Sequence, residues 1–354
     1  MLKSFHIQNY RNLKSVSANE LEQVNLLVGF NNVGKTNFLE AVNLFTSKNP
    51  VSVVDSILTR RLKNNLNISL REEKLDVALD VLSSFFYKKM PQIYESEGII
   101  LYETVNDKLI FNLTQNADNE QIKSNLDQVI HVKDINKYGL SFKKGAYKFF
   151  YPFNSFPFAP NFLTNLNGDT QSIFVSSTNS SYQELGVYWD NNIYLTEKEL
   201  NVIEALQIIE PNIEKIGFKG DRNRTVEVKL KDDRQLYNLS DMGDGMNRIL
   251  SIIISIIYAE NGTLLIDEFE NGLHYTVQYQ LWKIIFMMAK KLSVQVFVST
   301  HSSDCINAFE RVLNEDFMHN GKVLRLENKQ GNIVVQTFDS REMEIVTQND
   351  VEIR

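Results

Sequence analysis

The sequence predicts an α/β fold built around a mainly parallel central sheet. Near the N-terminus a strand pattern leads through a glycine-containing turn into a helical pattern, and in the last third strands and helices alternate. Such alternation is typical of parallel sheets. Val24–Val28 is a largely apolar run ending at Gly29, as expected for a strand buried on both faces. Weaker patterns at 2–7 and 13–18 predict additional antiparallel strands at the N-terminus.

The spacing of apolar residues places the other elements. We expect helices at 36–45, 51–63, 72–89, 197–209, 245–258, 276–292 and from 302, and strands within 98–151 and at 225–230, 235–239, 263–266 and 294–299. The strands 225–230 and 235–239 flank a short polar turn and predict a hairpin. From about 50 to 235 the strand–helix alternation is lost. The sequence therefore predicts one split domain, 1–50 and 225–354, interrupted by a mixed α/β insertion at 51–224.

Composition narrows the class of protein. The chain has 354 residues, 43% of them hydrophobic, and a net charge of −7, so it lacks the overall basic field of a constitutive nucleic-acid binder. Its one cysteine, Cys305, excludes an internal disulfide framework and fits a reducing compartment. The N-terminal residues lack the apolar core of a signal peptide, and the longest apolar run, 249–258, is too short to span a bilayer. These features predict a cytoplasmic protein without a membrane segment.

The strongest motif is GFNNVGKT at residues 29–36, which matches the phosphate-binding loop pattern. Gly29 and Gly34 allow the backbone to turn a row of N–H groups toward phosphate oxygens. Lys35 supplies a positive charge to the β- and γ-phosphates, and the Thr36 hydroxyl can ligate Mg²⁺. The motif predicts an ATP site that also includes Asn31, Asn32, Val33 and Asn37.

A second motif, TLLIDEFENGLH at residues 263–274, places two acids at the end of an apolar strand. Asp267 is expected near the Mg²⁺, usually through a water, and Glu268 is positioned to polarise the attacking water. Acids at a strand end can also serve only to cap the next helix. Two consecutive acids favour hydrolysis over binding alone.

Two further motifs allow two interpretations each. His301 follows the apolar strand 294–299, at the edge where ligand sites fall in open α/β sheets, although a lone histidine is often structural. Ser240, Gly243 and Gly245 precede the helix 245–258, which is either an anion-binding arrangement or a simple helix cap.

These four motifs, in this order, resemble the ABC-type ATPase heads of the SMC/RecF/OLD (overcoming lysogenization defect) group. The beginning, IQNYRNLKSV through VNLLVGFNNVGKTNFLEAV, looks like the start of those proteins. DEFENGLHYTVQYQLW and VSTHSSDCINAF look like an OLD-like prokaryotic AAA ATPase subfamily, and the similarity covers residues 1–48 and 225–310. The resemblance implies that two heads sandwich two ATP molecules, each bound by the glycine loop of one subunit and the signature residues Ser240, Gly243 and Gly245 of the other. It also implies that Glu268 is the catalytic glutamate, His301 the switch histidine, and Arg11 a neighbour of the nucleotide.

The chain departs from that pattern in ways that bear on its partners. The signature lacks the LSGGQ wording, no Q-loop glutamine can be placed, and the insertion is too short for long SMC arms. No Toprim nuclease pattern follows His301, so the resemblance implies a separately encoded effector, such as a nuclease or toxin, in an antiphage system. An ATP-locked scaffold that sequesters a toxin or effector, and a RecF-like DNA-repair ATPase, stay open as alternatives.

Overall fold

The computed structural model describes residues 1–63, 83–89, 98–115, 138–145, 147–152, 172–177, 181–221, 224–315 and 320–348. The strands are β1 (Phe5–Tyr10), β2 (Leu13–Ala18), β3 (Val24–Val28), β4 (Ile99–Tyr102), β5 (Lys108–Gln115), β6 (Tyr138–Lys144), β7 (Tyr147–Pro152), β8 (Ser172–Val175), β9 (Ile213–Lys219), β10 (Thr225–Leu230), β11 (Leu236–Asn238), β12 (Thr263–Ile266), β13 (Gln295–Ser299), β14 (Gly321–Lys329) and β15 (Asn332–Phe338). The helices are α1 (Lys35–Thr46), α2 (Pro50–Lys63), α3 (Tyr182–Asn192), α4 (Glu197–Ile209), α5 (Asp244–Tyr258), α6 (Tyr275–Lys291), α7 (Ser303–Leu313) and α8 (Ser340–Gln348).

The central sheet has the order β15-β14-β3-β13-β12-β8, and every neighbouring pair is parallel except β14 with β15. The predicted mainly parallel sheet is confirmed. Every residue of β3, β12 and β13 is buried. Since successive residues of a strand point to opposite sides of the sheet, these inner strands are buried on both faces. Leu26 packs in the core on one side and Leu27 in the core on the other.

A second sheet, with the order β2-β1-β4-β5-β6-β7, is antiparallel throughout. It confirms the predicted N-terminal antiparallel strands. Helix α1 contributes Phe38 and Leu39 to the core that also contains Phe5 of this sheet and Phe297 of the central sheet. The glycine loop before α1 is therefore supported by a helix packed between two sheets.

The other face of the central sheet is covered by helices. Ile253 of α5, Trp282 of α6 and Phe309 of α7 are fully buried in the core that contains Ile266 of β12. Helix α5 is buried along nearly its whole length, as its apolar composition predicts. A third, small sheet of order β11-β10-β9 contains the predicted hairpin, in which β10 and β11 pair antiparallel.

The predicted insertion at 51–224 supplies strands to both large sheets. Strands β4 to β7 extend the antiparallel sheet, and β8 pairs in parallel with β12 at the edge of the central sheet. Most of the predicted helix at 72–89 lies outside the described residues, and at its end residues 87–89 form a single 3-10 turn. The division into a split domain and an insertion stays a prediction. Within the described part of the chain, no helix is long and apolar enough to cross a bilayer.

Candidate nucleotide-binding site

The loop between β3 and α1 has a backbone conformation that requires glycine at two positions. Gly29 has a φ of 141° and Gly34 a φ of 101°. A Cβ atom on Gly29 would stand 2.4 Å from the carbonyl oxygen of Leu326, and one on Gly34 would stand 2.7 Å from Oδ1 of Asn12. Gly34 caps α1 without a side-chain hydrogen bond, so the first turn of the helix directs backbone N–H groups toward any bound anion.

Lys35 lies at the start of α1, with its ammonium group turned into the loop. Nζ donates to the carbonyl oxygens of Gly29, at 2.6 Å, and Phe30, at 3.2 Å. Burial lowers the pKa of Lys35 below its ordinary value, and the nearby carboxylates, that of Glu270 foremost, oppose this shift. A positive charge thus lies against the loop carbonyls and near the carboxylates of Glu270, Asp267 and Glu268.

Thr36 and Asp267 meet although 231 positions separate them in the chain. The Thr36 hydroxyl lies 3.1 and 3.0 Å from the two carboxylate oxygens of Asp267, and the Ser299 hydroxyl donates to Oδ1 at 2.5 Å. Burial raises the pKa of Asp267, while the hydrogen bonds from Ser299 and Thr36 act in the opposite direction. Parallel strands β3, β13 and β12 end at the same edge of the sheet, which is why these three residues converge.

Glu268 is held in an unusual backbone conformation at the same edge. Its φ of 48° lies in the left-handed region, and its N–H donates to the Ser299 hydroxyl at 2.9 Å. Its carboxylate accepts a hydrogen bond from Nδ2 of Asn271 at 2.7 Å. Non-glycine residues persist in this region only where the surroundings hold them, and here Ser299 and Asn271 hold both the backbone and the carboxylate of Glu268.

Arg248, on α5, is a site residue that the motifs did not reveal. Its side chain is fully buried, and Nη2 donates to the carbonyl oxygens of Asp267, at 2.8 Å, and Glu268, at 3.3 Å. Nη1 donates to the carbonyl oxygen of Ser176, just after β8. Burial lowers the pKa of Arg248 to about 10, although the neighbouring carboxylates oppose the shift. The guanidinium therefore fixes the backbone on which both acids stand.

His301 lies beyond the end of β13 and pairs with a third acid. Its side chain is 47% exposed, and Nδ1 lies 3.0 Å from Oε1 of Glu270. The same oxygen accepts the backbone N–H of His301 at 2.9 Å, and Oε2 accepts the Thr300 hydroxyl at 2.8 Å. Glu270 was not among the predicted site residues, because nothing in its sequence position distinguishes it from an acid that caps a helix.

Arg11 makes buried contacts with α1. Its Nε lies 2.9 Å from Oε2 of Glu40, and its guanidinium lies 4.5 Å from the ring centroid of Phe85. The next residue, Asn12, contacts the loop: its Nδ2 donates to the Asn32 carbonyl at 3.3 Å, and its Oδ1 accepts from Asn37 at 2.8 Å. Arg11 as a neighbour of the nucleotide stays a prediction, and Asn12 is the residue of this motif that supports the loop.

The signature residues lie around the start of α5, where Ser240 and Gly243 are exposed and Gly245 is partly buried. Ser240 donates to Oδ1 of Asn238 from both its hydroxyl, at 2.7 Å, and its backbone N–H, at 3.2 Å. Gly243, with a φ of 100°, has open space beside its Cα, and a Cβ atom on Gly245 would stand 3.1 Å from the carbonyl oxygen of Gly272. The contacts given above for Ser240 and Gly245 are with Asn238 and Gly272 of the same chain. Among the described residues, no hydrogen bond links Ser240, Gly243 or Gly245 to Lys35, Thr36 or Asp267.

The fold and the site define an ATPase head of the ABC type: a phosphate loop before α1, an acid pair at the end of β12, and a mainly parallel sheet beside an antiparallel one. The chain belongs to the family described as "AAA domain, putative AbiEii toxin, Type IV TA system", which matches residues 24–305. A relative named "ATP/GTP phosphatase", from Helicobacter pylori, is 26% identical over 382 aligned positions, which cover 99% of each chain. The crystal structure of an SMC head bound to the C-winged helix domain of ScpA covers 96% of this chain and 97% of its own, with 11% identity and a TM-score of 0.51. That likeness shows the fold, and together with the family it confirms the resemblance to ABC-type heads.

Proposed function

We propose that the protein is a molecular switch that binds and hydrolyses ATP at the site formed by the glycine loop and the acid pair. The observation that carries this proposal is the contact between Thr36 and Asp267, 3.0 and 3.1 Å from hydroxyl to carboxylate across 231 chain positions. Membership of an AAA-domain family and similarity to a protein named ATP/GTP phosphatase support hydrolysis as the reaction.

Each residue of the site has a role in this reaction. The loop N–H groups and Lys35 bind the β- and γ-phosphates and balance their charge. Glu268 accepts a proton from the attacking water, whose oxygen bonds to the γ-phosphorus as the bond to the leaving ADP oxygen breaks. His301, whose ring is exposed, would contact the γ-phosphate.

Mg²⁺ fits the residues at the end of β12. The Thr36 hydroxyl and the Asp267 carboxylate are hard oxygen donors of the kind that this ion binds together with phosphate oxygens, and they already lie side by side. The bound ion would balance charge on the phosphates. Thr36 and Asp267 would hold it, Asp267 through a water.

ATP would also join two copies of the chain. Ser240 and Gly243 are exposed, and Gly243 caps the N-terminus of α5, where N–H groups favour an anion, while Ser240 lies in the turn just before it. In the proposed dimer they face the ATP held by Lys35 and Thr36 of the other copy. Hydrolysis would then open or reset the pair, so that nucleotide state controls assembly.

The biological role we favour is the ATPase or sensor subunit of a prokaryotic antiphage system that acts with a separate effector such as a nuclease or toxin. The family description, which includes a putative toxin and a type IV toxin–antitoxin system, supports a place among defence systems. An ATP-locked scaffold that sequesters a toxin or effector would assemble with ATP yet turn it over slowly. A RecF-like DNA-repair ATPase would bind duplex DNA with an affinity that falls steeply as salt rises.

The test is the substitution Glu268→Gln, which removes the base and keeps the shape of the side chain. We expect ATP binding to be retained, phosphate release to fall by about 100-fold or more, and ATP-bound dimers to accumulate. Phosphate release and molar mass by light scattering, with and without ATP and Mg²⁺, measure these effects.

Lys35→Ala is the control, because it removes the phosphate-binding charge and should abolish both ATP binding and assembly. Unchanged phosphate release by Glu268→Gln would contradict the assigned base. Full assembly with negligible turnover in the unaltered protein would favour the scaffold. Salt-dependent binding to duplex DNA only in the presence of ATP would favour the repair function.

A further inference from the structure

Glu270 is a nearly buried carboxylate that the proposed reaction does not use. Its side chain is 12% exposed, and three donors converge on it: the Thr300 hydroxyl, the His301 backbone N–H and the His301 ring. It stands two positions after the proposed base, Glu268, on the same loop. Burying a carboxylate carries a desolvation free energy that hydrogen-bond donors must offset. The donors around Glu270 therefore indicate its role.

The contact between Glu270 and His301 determines which ring nitrogen of His301 can reach a ligand. An ionised carboxylate only accepts hydrogen bonds, so the proton between Oε1 of Glu270 and Nδ1 of His301 belongs to the ring. Nε2 is then the ring nitrogen left for a ligand, on a side chain that is 47% exposed. To donate from Nε2 to a phosphate oxygen the ring must also carry a proton there, and Glu270 supplies the counter-charge for that imidazolium form.

The hydrogen bond from the His301 backbone N–H to Glu270 is a second constraint on the position of the imidazole. Because Oε1 accepts both the N–H and the ring nitrogen of His301, one oxygen sets the position of the Cα and the rotation of the imidazole together. Carboxylates that orient a functional histidine in this way recur in metal sites and in hydrolase triads.

We propose that Glu270 is a positioning residue for hydrolysis, which holds His301 so that its Nε2 donates to the terminal phosphate as charge develops there. This proposal rests on the proposed function, and in particular on His301 contacting the γ-phosphate. In this proposal Glu270 itself contacts neither the nucleotide nor the attacking water. Its effect passes through the histidine.

A double-mutant cycle tests this dependence, with ATP turnover measured for the unaltered protein, Glu270→Gln, His301→Ala and the double variant. Glu270→Gln keeps the size of the side chain and an oxygen for its donors, but removes the charge. We expect it to lower kcat by about 10- to 100-fold with KM for ATP nearly unchanged. In the His301→Ala background the same substitution should lower kcat no further, because residues that act as a unit are non-additive.

Asp304→Asn is the matched control, since it removes the charge of an exposed acid three positions after His301 that is not part of the Glu270–His301 pair. Its kcat should stay within about 3-fold of the unaltered protein, as is usual for a surface substitution away from the site. Glu270→Asp, which keeps the charge on a shorter side chain, should give a kcat between those of the unaltered protein and Glu270→Gln. Thermal unfolding and ATP affinity of every variant verify that the fold and the binding step are intact.

Effects of Glu270→Gln and His301→Ala that multiply in the double variant would overturn the positioning role, as would a loss of ATP affinity that accounts for the whole change. These results are distinguishable from a failure of the proposed function. If Glu268→Gln retains full turnover, the assigned reaction is wrong. If Glu268→Gln is inactive and the other two effects multiply, only the role of Glu270 is wrong.

Discussion

At the scale of single residues, Asp267 lies buried at the end of β12, where the hydroxyl groups of Thr36 and Ser299 donate to its carboxylate. Burial raises its pKa in the folded protein above the ordinary value. The folded state therefore binds a proton more readily than the unfolded chain, and ionisation of this group costs stability at every pH above the folded pKa. That cost disappears as the pH falls through the folded pKa.

We predict that Asp267→Asn raises the melting temperature at pH 7, because an amide avoids the cost of a buried charge. The advantage over the unaltered protein should shrink as the pH is lowered into the acid range, where Asp267 takes up its proton. Phosphate release should fall by about 100-fold or more, since the ligand for the ion is lost. Calorimetry across pH, together with a turnover assay, checks both effects.

The exposed Asp221 gives the matched control, and Asp221→Asn should change neither the melting temperature nor turnover. A lower melting temperature for Asp267→Asn at pH 7 would show that hydrogen bonds to the ionised carboxylate outweigh its burial, contrary to the direction of its pKa.

At the scale of elements, Arg248 joins α5 to the ends of β8 and β12 through the carbonyl oxygens of Ser176, Asp267 and Glu268. We predict that Arg248→Met lowers the free energy of unfolding by about 3–5 kcal/mol, because it leaves buried acceptors and acids without their cation. Arg248→Lys should cost less, since an ammonium keeps the charge and can reach one acceptor. Denaturant unfolding measures both.

Lys198→Met serves as the control, because Lys198 forms an exposed ion pair with Glu260. Its effect should stay within about 1 kcal/mol, as is usual for surface pairs. A cost for Arg248→Met no larger than that of Lys198→Met would show that the guanidinium does not hold the two strand ends.

The sequence predicted the elements that carry local motifs. It did not predict the strands and side-chain positions that are set by packing against distant parts of the chain. The glycine loop and the acid pair are local patterns, and the structure places Thr36 beside Asp267. Strand β8 joins the sheet through pairing with β12, which no local period indicates. Arg248 lies in an apolar helix, and only the packing of α5 turns it toward the acids.

Arg11 illustrates the reverse case, a motif residue whose side chain the sequence cannot orient. Its ion pair with Glu40 and its position over Phe85 follow from the way the antiparallel sheet packs on α1. The neighbouring Asn12 contacts the loop instead, because the two residues form the turn between β1 and β2 and their side chains leave it in different directions. Which of two consecutive polar residues serves a site is decided by the fold.

At the scale of the whole molecule, one edge of the central sheet gathers residues from both ends of the chain. Strands β3, β12 and β13 bring Lys35, the acid pair and Ser299 to that edge, while Ser240 and Gly243 are exposed just before α5. In the function proposed above, this edge binds the nucleotide and the surface before α5 meets the nucleotide of a second copy. The central claim is that Thr36 and Asp267 serve one Mg²⁺–ATP site.

The most direct test of that claim is a calorimetric measurement of ATP affinity, with Mg²⁺ and with EDTA, for the unaltered protein, Thr36→Val, Asp267→Asn and the double variant. We predict that Mg²⁺ strengthens ATP binding in the unaltered protein, that each single substitution removes most of this gain, and that the double variant loses no more than the single ones. ATP binding that is independent of Mg²⁺, or Mg²⁺-dependent gains that the two substitutions reduce separately and multiplicatively, would contradict a shared site.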